Sequence, residues 1–507
     1  MKCKRLFLGF ASCLIVLAAC GEQPEPGHAA TLQLKPCRVA HVDNEVRCGT
    51  LDVIENRATR RGRTIALNIV VLPAIARNKE ADPVFLFAGG PGQAASDLAR
   101  EALGMLGGLN NKRVLVLVDQ RGTGKSNGLM CGLPDAMSPE SRDPFKRDAL
   151  SRKLITACRD KLAAKADLTQ YTTTIAMDDI DQVREALGYQ SINLWGGSYG
   201  TRAAMEYLRR YESRVRSVVL DGVAPPSLAL PESFARDAGQ ALEKMFIACG
   251  KDIQCGKRYV DLKLVVDELA AQLAKRPRSA SVADPLTGVV RELNVTRDMV
   301  LTAVFSTLYV PELVATLPSS LAKAKQGDFA PLMAMAAMRG DVAEDKLAMG
   351  MQLSVVCAED APRIKRGQLA LQPEPFGRMF IDEFAKGCER WPIGAVAKDF
   401  DQPVISAKPV LILSGGLDPV TPPQYGDEVK KHFPNSFHAI APNVGHGVSS
   451  RGCAPKLIRK FVETASVAGL DAKCLERMPR PLFFSPLRGR ANTESMEIPA
   501  QQDEGKK

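Results

Sequence analysis

The chain has 507 residues, 45% of them hydrophobic and 24% charged, with a formal charge of +10. That balance is ordinary for a folded globular protein and excludes a disordered or low-complexity chain; the length predicts one large domain with a substantial insertion, or two domains. The basic residues form no long block interleaved with aromatics, so the charge reads as a solvated surface and not as a nucleic-acid footprint.

The chain opens with a targeting pattern. Lys2, Lys4 and Arg5 form a basic stretch, and Leu6 to Ala19 is apolar but too short to span a bilayer. The run ends in Leu17-Ala18-Ala19-Cys20-Gly21, which resembles the bacterial lipobox. The resemblance implies cleavage before Cys20 and acylation of its thiol. The mature protein is then a lipoprotein held at the membrane through Cys20. Gly21 in place of Asp points to the periplasmic side of the outer membrane in a Gram-negative envelope. The alternative is an ordinary signal peptide that ends near a cysteine. Residues 1–19 are thus read as signal peptide and 20–35 as a tether rich in Pro and Gly.

Of thirteen cysteines, Cys3 and Cys13 leave with the signal and Cys20 is the lipid site. The remaining ten suit an oxidising compartment and a disulfide set. Pairing neighbours gives Cys37–Cys48, Cys131–Cys158, Cys249–Cys255, Cys357–Cys388 and Cys453–Cys474, although sequence leaves connectivity open. No spacing matches a zinc site, so no metal is expected.

Next in chain order comes a strand at Thr64–Leu72 in an early antiparallel part of a sheet. Short apolar runs follow, each ending in turn or polar residues. They are 83–87 before Gly89-Gly90-Pro91-Gly92, 113–118 before Asp119-Gln120-Arg121-Gly122, 191–195 before Gly196-Gly197-Ser198-Tyr199-Gly200, and 215–220 before Asp221-Gly222. The last two are 409–413 before Gly415-Gly416-Leu417-Asp418 and 436–440 before the loop holding His446. Continuous apolar strands alternating with helical stretches, such as Ile175–Leu187 and Thr201–Tyr211, predict a mostly parallel sheet of eight strands with helices on both faces. From 228 to 401 the periodicity is helical, with examples at Leu262–Lys275, Thr296–Leu308, Pro311–Lys325 and Phe329–Met338. This reads as a helical cap inserted between strands 6 and 7. The core is then 36–227 and 402–478, and 479–507 is a polar, loosely held tail.

Gly-x-Ser-x-Gly at the end of an apolar strand and the start of a helix is a nucleophile elbow, and with this strand pattern it predicts an α/β-hydrolase fold. Ser198 is the candidate nucleophile. A serine hydroxyl needs a base, and the base needs a carboxylate to fix its tautomer. His446, in a Gly-flanked loop after the last strand, is the candidate base; His28, His41, His432 and His438 sit in other contexts. Asp418, at a strand end, is the candidate acid, and Asp221 is its competitor. For the oxyanion the candidate donors are the backbone N–H groups of Tyr199 and Gly90, with Gly89 second. Gly122-Thr123-Gly124-Lys125-Ser126 looks superficially like the end of a phosphate loop but lacks the full spacing. No cofactor is implied.

With these residues assembled, the chain resembles the proline-iminopeptidase and tripeptidyl-aminopeptidase group of α/β hydrolases, peptidase family S33. The carriers are Gly89-Gly90-Pro91-Gly92, Asp119-Gln120-Arg121-Gly122-Thr123-Gly124, Trp195–Gly200, Leu220-Asp221-Gly222-Val223, Asp418-Pro419-Val420-Thr421-Pro422 and Gly445-His446-Gly447. The resemblance implies a serine aminopeptidase acting on peptides with a free N-terminus. Ala88 stands where many proline iminopeptidases have histidine, which favours the tripeptidyl branch. The spacing of Cys453 and Cys474 is similar to that of the exported branch. The resemblance also implies acidic groups near the cap that bind the substrate's α-ammonium, with Glu359 and Asp360 as candidates. Two other readings stay open: an esterase or amidase using the same triad on small esters or lipids, and a non-catalytic envelope binding protein. Oligomeric state is not legible.

Overall fold

The computed structural model describes residues 32–132, 144–283, 288–335, 347–364 and 374–485. The expected signal peptide, Cys20, most of the tether and residues 486–507 lie outside the described residues.

In chain order the strands are β1 (Lys35–Cys37), β2 (Val46–Ile54), β3 (Thr64–Leu72), β4 (Val84–Phe87), β5 (Leu115–Val118), β6 (Ile192–Gly197), β7 (Val215–Asp221), β8 (Arg278–Ala283), β9 (Val290–Val295), β10 (Val410–Gly415) and β11 (Ser436–Ala441). Nine of them form one sheet in the order β1-β2-β3-β5-β4-β6-β7-β10-β11. The pairs β1–β2, β2–β3 and β3–β5 are antiparallel, and every pair from β5 to β11 is parallel. This is the α/β-hydrolase arrangement. One strand more than the expected eight is present, because the three-residue β1 adds to the edge and is tied to β2 by Cys37–Cys48.

The central strands β4, β5 and β10 are buried along their whole length because both faces of the sheet are covered. Along β3, Leu67, Ile69 and Val71 enter one core while Val70 and Leu72 enter the other; β4 divides Phe85 and Phe87 from Val84 and Leu86 in the same way. That is period-two alternation with burial on both sides. Helices Thr173–Ala186 and Tyr199–Tyr211 cover the first face, and Ala99–Met105 and Ala454–Thr464 the second. A third core lies within the inserted segment, from Ala235 to Phe376.

The structure departs from the sequence expectation in three places in the insertion and one in the tail. The strands β8 and β9 form an antiparallel hairpin. Most of its outward residues are polar and only Val282, Leu293 and Val295 are buried, so it lacks the apolar run that marks a core strand. The stretch Pro311–Lys325 is two helices, Pro311–Val314 and Leu317–Lys325. Pro318 lies in the first turn of the second, where its missing N–H costs nothing, and in the interior of one long helix it would break the ladder. Ala348, Met351, Leu353, Val355, Cys357 and Trp391 pack into the core of the sheet and not into the core of the insertion. The start of the tail touches the insertion while staying largely exposed: the Phe484 N–H donates to the Ala315 carbonyl at 2.9 Å and the partly buried Phe483 lies against the third core.

Five disulfides join Cys37–Cys48, Cys131–Cys158, Cys249–Cys255, Cys357–Cys388 and Cys453–Cys474, each pairing cysteines adjacent in the sequence. They indicate an exported protein. Among the described residues no helix is long and apolar enough to cross a membrane.

Candidate active site

The strand β6 runs buried into the sheet and stops at Gly197. The chain then reverses at Ser198, whose φ of 57° and ψ of −125° are strained for a residue with a side chain. The strain is held by neighbours. The Ser198 N–H donates to the Asp221 carbonyl at 2.9 Å, and its carbonyl accepts from the Thr201 N–H at 2.9 Å and the Thr201 hydroxyl at 2.6 Å. The flanking glycines are steric requirements. A Cβ on Gly196 would lie 2.3 Å from the Gly200 carbonyl oxygen, and one on Gly200 would lie 2.1 Å from that of Phe87. Ser198 therefore stands at the rim of the sheet, at the start of helix Tyr199–Tyr211.

Parallel pairing of Gly197 with Asp221 brings Ser198 beside Gly222. A Cβ on Gly222 would be 3.3 Å from Cε1 of His446, so the imidazole sits over the end of the neighbouring strand. His446 Nδ1 lies 2.8 Å from Oδ2 of Asp418 and 3.1 Å from the Thr421 hydroxyl. The pairing leaves Nε2 as the basic nitrogen turned away from the carboxylate. Asp418 is buried and also accepts from the N–H groups of Val420 and Thr421, at 2.9 and 2.8 Å, and from the Thr421 hydroxyl at 2.7 Å. Burial alone would raise its pKa. The His446 charge and these hydrogen bonds outweigh burial and hold the carboxyl below its ordinary value.

Asp221, the competitor, faces a different task. Its oxygens accept from the N–H groups of Val448, at 2.8 and 3.0 Å, and Ser449, at 2.7 Å. It pins the loop that carries His446, and burial raises its pKa. Trp195 adds a second tether, its indole N–H reaching the Ser449 hydroxyl at 3.0 Å. The inserted segment supplies a third: the His446 N–H donates to the Tyr309 carbonyl at 3.0 Å, and the two rings meet edge to face with centroids 5.2 Å apart. Tyr309 was not legible from sequence, because no local pattern announces a carbonyl partner 137 residues away. Thr421 could have been found, since it sits three residues after Asp418 in the same turn.

The glycine loop after β4 lies against the elbow, with the Gly89 Cβ position 3.2 Å from Cβ of Ser198. The Gly89 N–H donates to Oε1 of Gln93 at 3.3 Å. Gly90, at a φ of 107°, has no such bond among the described residues. Tyr199 is the first helical residue after Ser198, where a backbone N–H has no partner within its helix. The loop is roofed by the insertion: the Ala348 N–H donates to the Gly92 carbonyl at 3.0 Å, and Leu347 lies 3.0 Å from the Gly90 Cβ position.

Glu359 and Asp360 are not presented to this cleft. Both are buried within a π-helical turn, Val356–Asp360, and bonded to protein groups. Glu359 accepts from the N–H and hydroxyl of Thr173 at 2.6 and 2.8 Å. Asp360 is paired with Arg202 and Arg363, each at 2.9 Å. A pair of acidic residues in sequence cannot show that two arginines and a helix start already claim it. Burial pushes the Glu359 carboxyl up to about 8. The phosphate-loop look-alike is a turn with no helix after it. Lys125 N–H donates to Asp119 at 3.1 Å and the Ser126 hydroxyl accepts from the Asn68 N–H at 2.8 Å. Arg121 is fully buried and donates two hydrogen bonds to the Asp179 carboxylate, at 2.6 and 2.8 Å, so this motif is scaffold.

Comparison with known proteins agrees with this fold. Residues 82–255 match a family described as alpha/beta hydrolase fold, and residues 372–474 match one described as TAP-like protein. Serine protease Hip1 of Mycobacterium tuberculosis is 22% identical over 514 residues, covering 92% of this chain and 95% of that protein. Carboxylesterase B of Mycobacterium tuberculosis is 26% identical over 423 residues, covering 76% of this chain and 78% of the relative. Tripeptidyl aminopeptidase of Streptomyces coelicolor is 26% identical over 195 residues, covering 36% of each chain. The chain has the α/β-hydrolase fold, its C-terminal segment matches the TAP-like family, and it is distantly similar to serine protease Hip1 and tripeptidyl aminopeptidase.

Proposed function

We propose that the protein is a serine hydrolase that cleaves peptides from a free N-terminus. The observation that carries this reading is a strained Ser198 elbow one strand away from Gly222, over which lies the imidazole of the hydrogen-bonded pair His446 and Asp418. Ser198 Oγ attacks the scissile carbonyl while Nε2 of His446 removes its proton. Asp418 holds the imidazole in the required tautomer and stabilises its cation. The tetrahedral oxygen takes hydrogen bonds from the N–H groups of Tyr199 and Gly90. His446 then gives the proton to the leaving amine, and an acyl-enzyme remains on Ser198. Water, deprotonated by His446, releases the acyl group as a carboxylic acid and regenerates the hydroxyl.

Relatedness to tripeptidyl aminopeptidase and to Hip1 supports a peptide substrate. Glu359 and Asp360 are buried and already bonded to protein groups, which weighs against either as the amine-binding group. Likeness to carboxylesterase B favours a second reading, hydrolysis of small or lipid esters by the same residues. One experiment separates the two: unblocked and N-acetylated versions of one peptide set are incubated with the protein and the products weighed. An aminopeptidase loses the acetylated set, whereas an esterase shows no such discrimination and turns over esters instead. Labelling by a fluorophosphonate, lost in Ser198→Ala, tests the shared mechanism. We further propose that Cys20 carries lipid and anchors the mature chain to the cell envelope, which mass spectrometry of the detergent-extracted protein tests.

A further inference from the structure

The acidic pair in the inserted segment lies behind the catalytic elbow, and its bonds converge on one helix turn. Thr173 begins helix Thr173–Ala186, so its N–H has no partner within that helix; Oε1 of Glu359 accepts it at 2.6 Å. The Thr173 hydroxyl donates to Oε2 of Glu359 at 2.8 Å. That uses its only proton, so the 2.6 Å contact between Thr173 Oγ1 and the Tyr199 phenol is completed by the Tyr199 O–H donating. All three side chains are buried. The next residue, Asp360, binds Arg202 at 2.9 Å. Arg202 also reaches the Leu228 carbonyl at 2.6 Å. Tyr199 and Arg202 are three apart on the helix that follows Ser198, so they share a face. The disulfide Cys357–Cys388 and the Arg363–Asp360 pair hold the acidic turn itself in place.

Building on the triad mechanism proposed above, the geometry points to Glu359, acting through Thr173, and Asp360, acting through Arg202, as positioning residues. They clamp the first turn of the nucleophile helix and so aim the Tyr199 N–H at the oxyanion. The elbow is strained, and strain relaxes unless its surroundings over-determine it. Tyr199 is the one residue whose backbone donates to the oxyanion while its side chain reaches back into the fold. Fixing the phenol at the far end of a rigid ring fixes the peptide at the near end. The clamp also joins the insertion to the elbow, so docking of this segment completes the donor.

The test uses the full protein and two substrates, an unblocked tripeptide p-nitroanilide and p-nitrophenyl acetate, which has no amine. Thr173→Val removes the hydroxyl at constant shape. It is expected to lower kcat by about tenfold on both substrates with KM changed by less than about twofold, a fraction of the loss on deleting an oxyanion donor outright. Affinity for a peptide boronic acid, whose tetrahedral adduct places an oxygen at the same donors, falls by the same factor. Thr173→Ser and Glu359→Gln keep a donor and acceptor in place and retain most of the wild-type kcat. Tyr199→Phe, which removes one oxygen and leaves the helix intact, repeats the kcat loss if Thr173→Val does not fold. Unchanged kcat in both Thr173→Val and Tyr199→Phe overturns the clamp. So does a Glu359→Gln variant whose KM rises on the unblocked peptide alone, which would return Glu359 to binding of the substrate amine. Failure of the triad reading looks different: the wild-type protein then takes no fluorophosphonate label.

Discussion

The substitution Gly200→Ala tests the elbow at its tightest point. In an open helix the change is favourable by about 1 kcal/mol, because alanine loses less chain entropy than glycine. Here the new Cβ would lie 2.1 Å from the carbonyl oxygen of Phe87, 2.7 Å from its carbon and 2.8 Å from the oxygen of Ala88. All three are backbone atoms, so no side chain can rotate away. Reaching the ordinary contact distance of 3.4 Å requires the end of β4 and the helix to part by about 1.3 Å. Overpacking of a dense core costs about 1–3 kcal/mol, which exceeds the propensity gain. The segment forced to move leads straight into Gly89 and Gly90, and a displacement of about 1 Å in a catalytic group costs on the order of a hundredfold in rate. Gly200→Ala is therefore expected to be less stable by about 1–2 kcal/mol and to lose about a hundredfold in fluorophosphonate labelling rate. Gly239→Ala is the matched control. Gly239 lies in helix Phe234–Lys251 with nothing within 4 Å of its Cβ position, and the same change there is expected to stabilise by about 0.5–1 kcal/mol. The assays are denaturant unfolding and single-turnover labelling. A Gly200→Ala protein as stable and as reactive as wild type would refute the packing argument.

Asp418→Asn removes the charge that orients His446 and is expected to lower kcat on the order of 10⁴-fold with the fold intact, checked by peptide hydrolysis and circular dichroism. His438 bonds Ser414 and Asp427, each at 2.9 Å, and burial depresses its pKa below the ordinary 6.5. The unfolded chain then binds the extra proton first, so this contribution to stability is complete above pH 6.5 and is lost as pH falls through the lower folded value; His438→Gln should flatten that part of the stability profile. For Asp418, whose folded pKa is depressed, stability is present above the ordinary 3.8 and lost below it, so acid unfolding of Asp418→Asn should begin less steeply in that range. Replacing both Cys357 and Cys388 with alanine opens a loop of 31 residues. It is expected to cost about 2–4 kcal/mol and to lower kcat through the acidic turn, measured by urea unfolding and turnover.

The acidic turn shows where sequence reading stopped. Val355 to Asp360 reads as an insertion segment with two spare carboxylates. Their partners Thr173, Arg202 and Arg363 come from the core helices and from the turn itself, and only folding brings them within 2.6–2.9 Å. The same holds for Tyr309, whose carbonyl anchors the His446 loop across the boundary between insertion and core. The hairpin β8–β9 escaped because its faces are mostly exposed and polar, so neither the helical nor the buried-strand period stands out.

What the amino-acid order determined by itself is whatever depends on short-range sterics and on two-sided burial. Apolar strands at β4 to β7, β10 and β11 require a parallel sheet covered by helices. Glycines beside Ser198 allow a reversal that bulkier residues forbid, and adjacent cysteines close the five bridges. The tertiary structure alone decided what the second strand-end carboxylate, Asp221, does. Asp221 and Asp418 each follow a buried strand, but parallel register directs one to the amides of Val448 and Ser449 and the other to His446. Hydrogen-bond partners far apart in sequence are chosen by where strands end in space, and no local pattern carries that information.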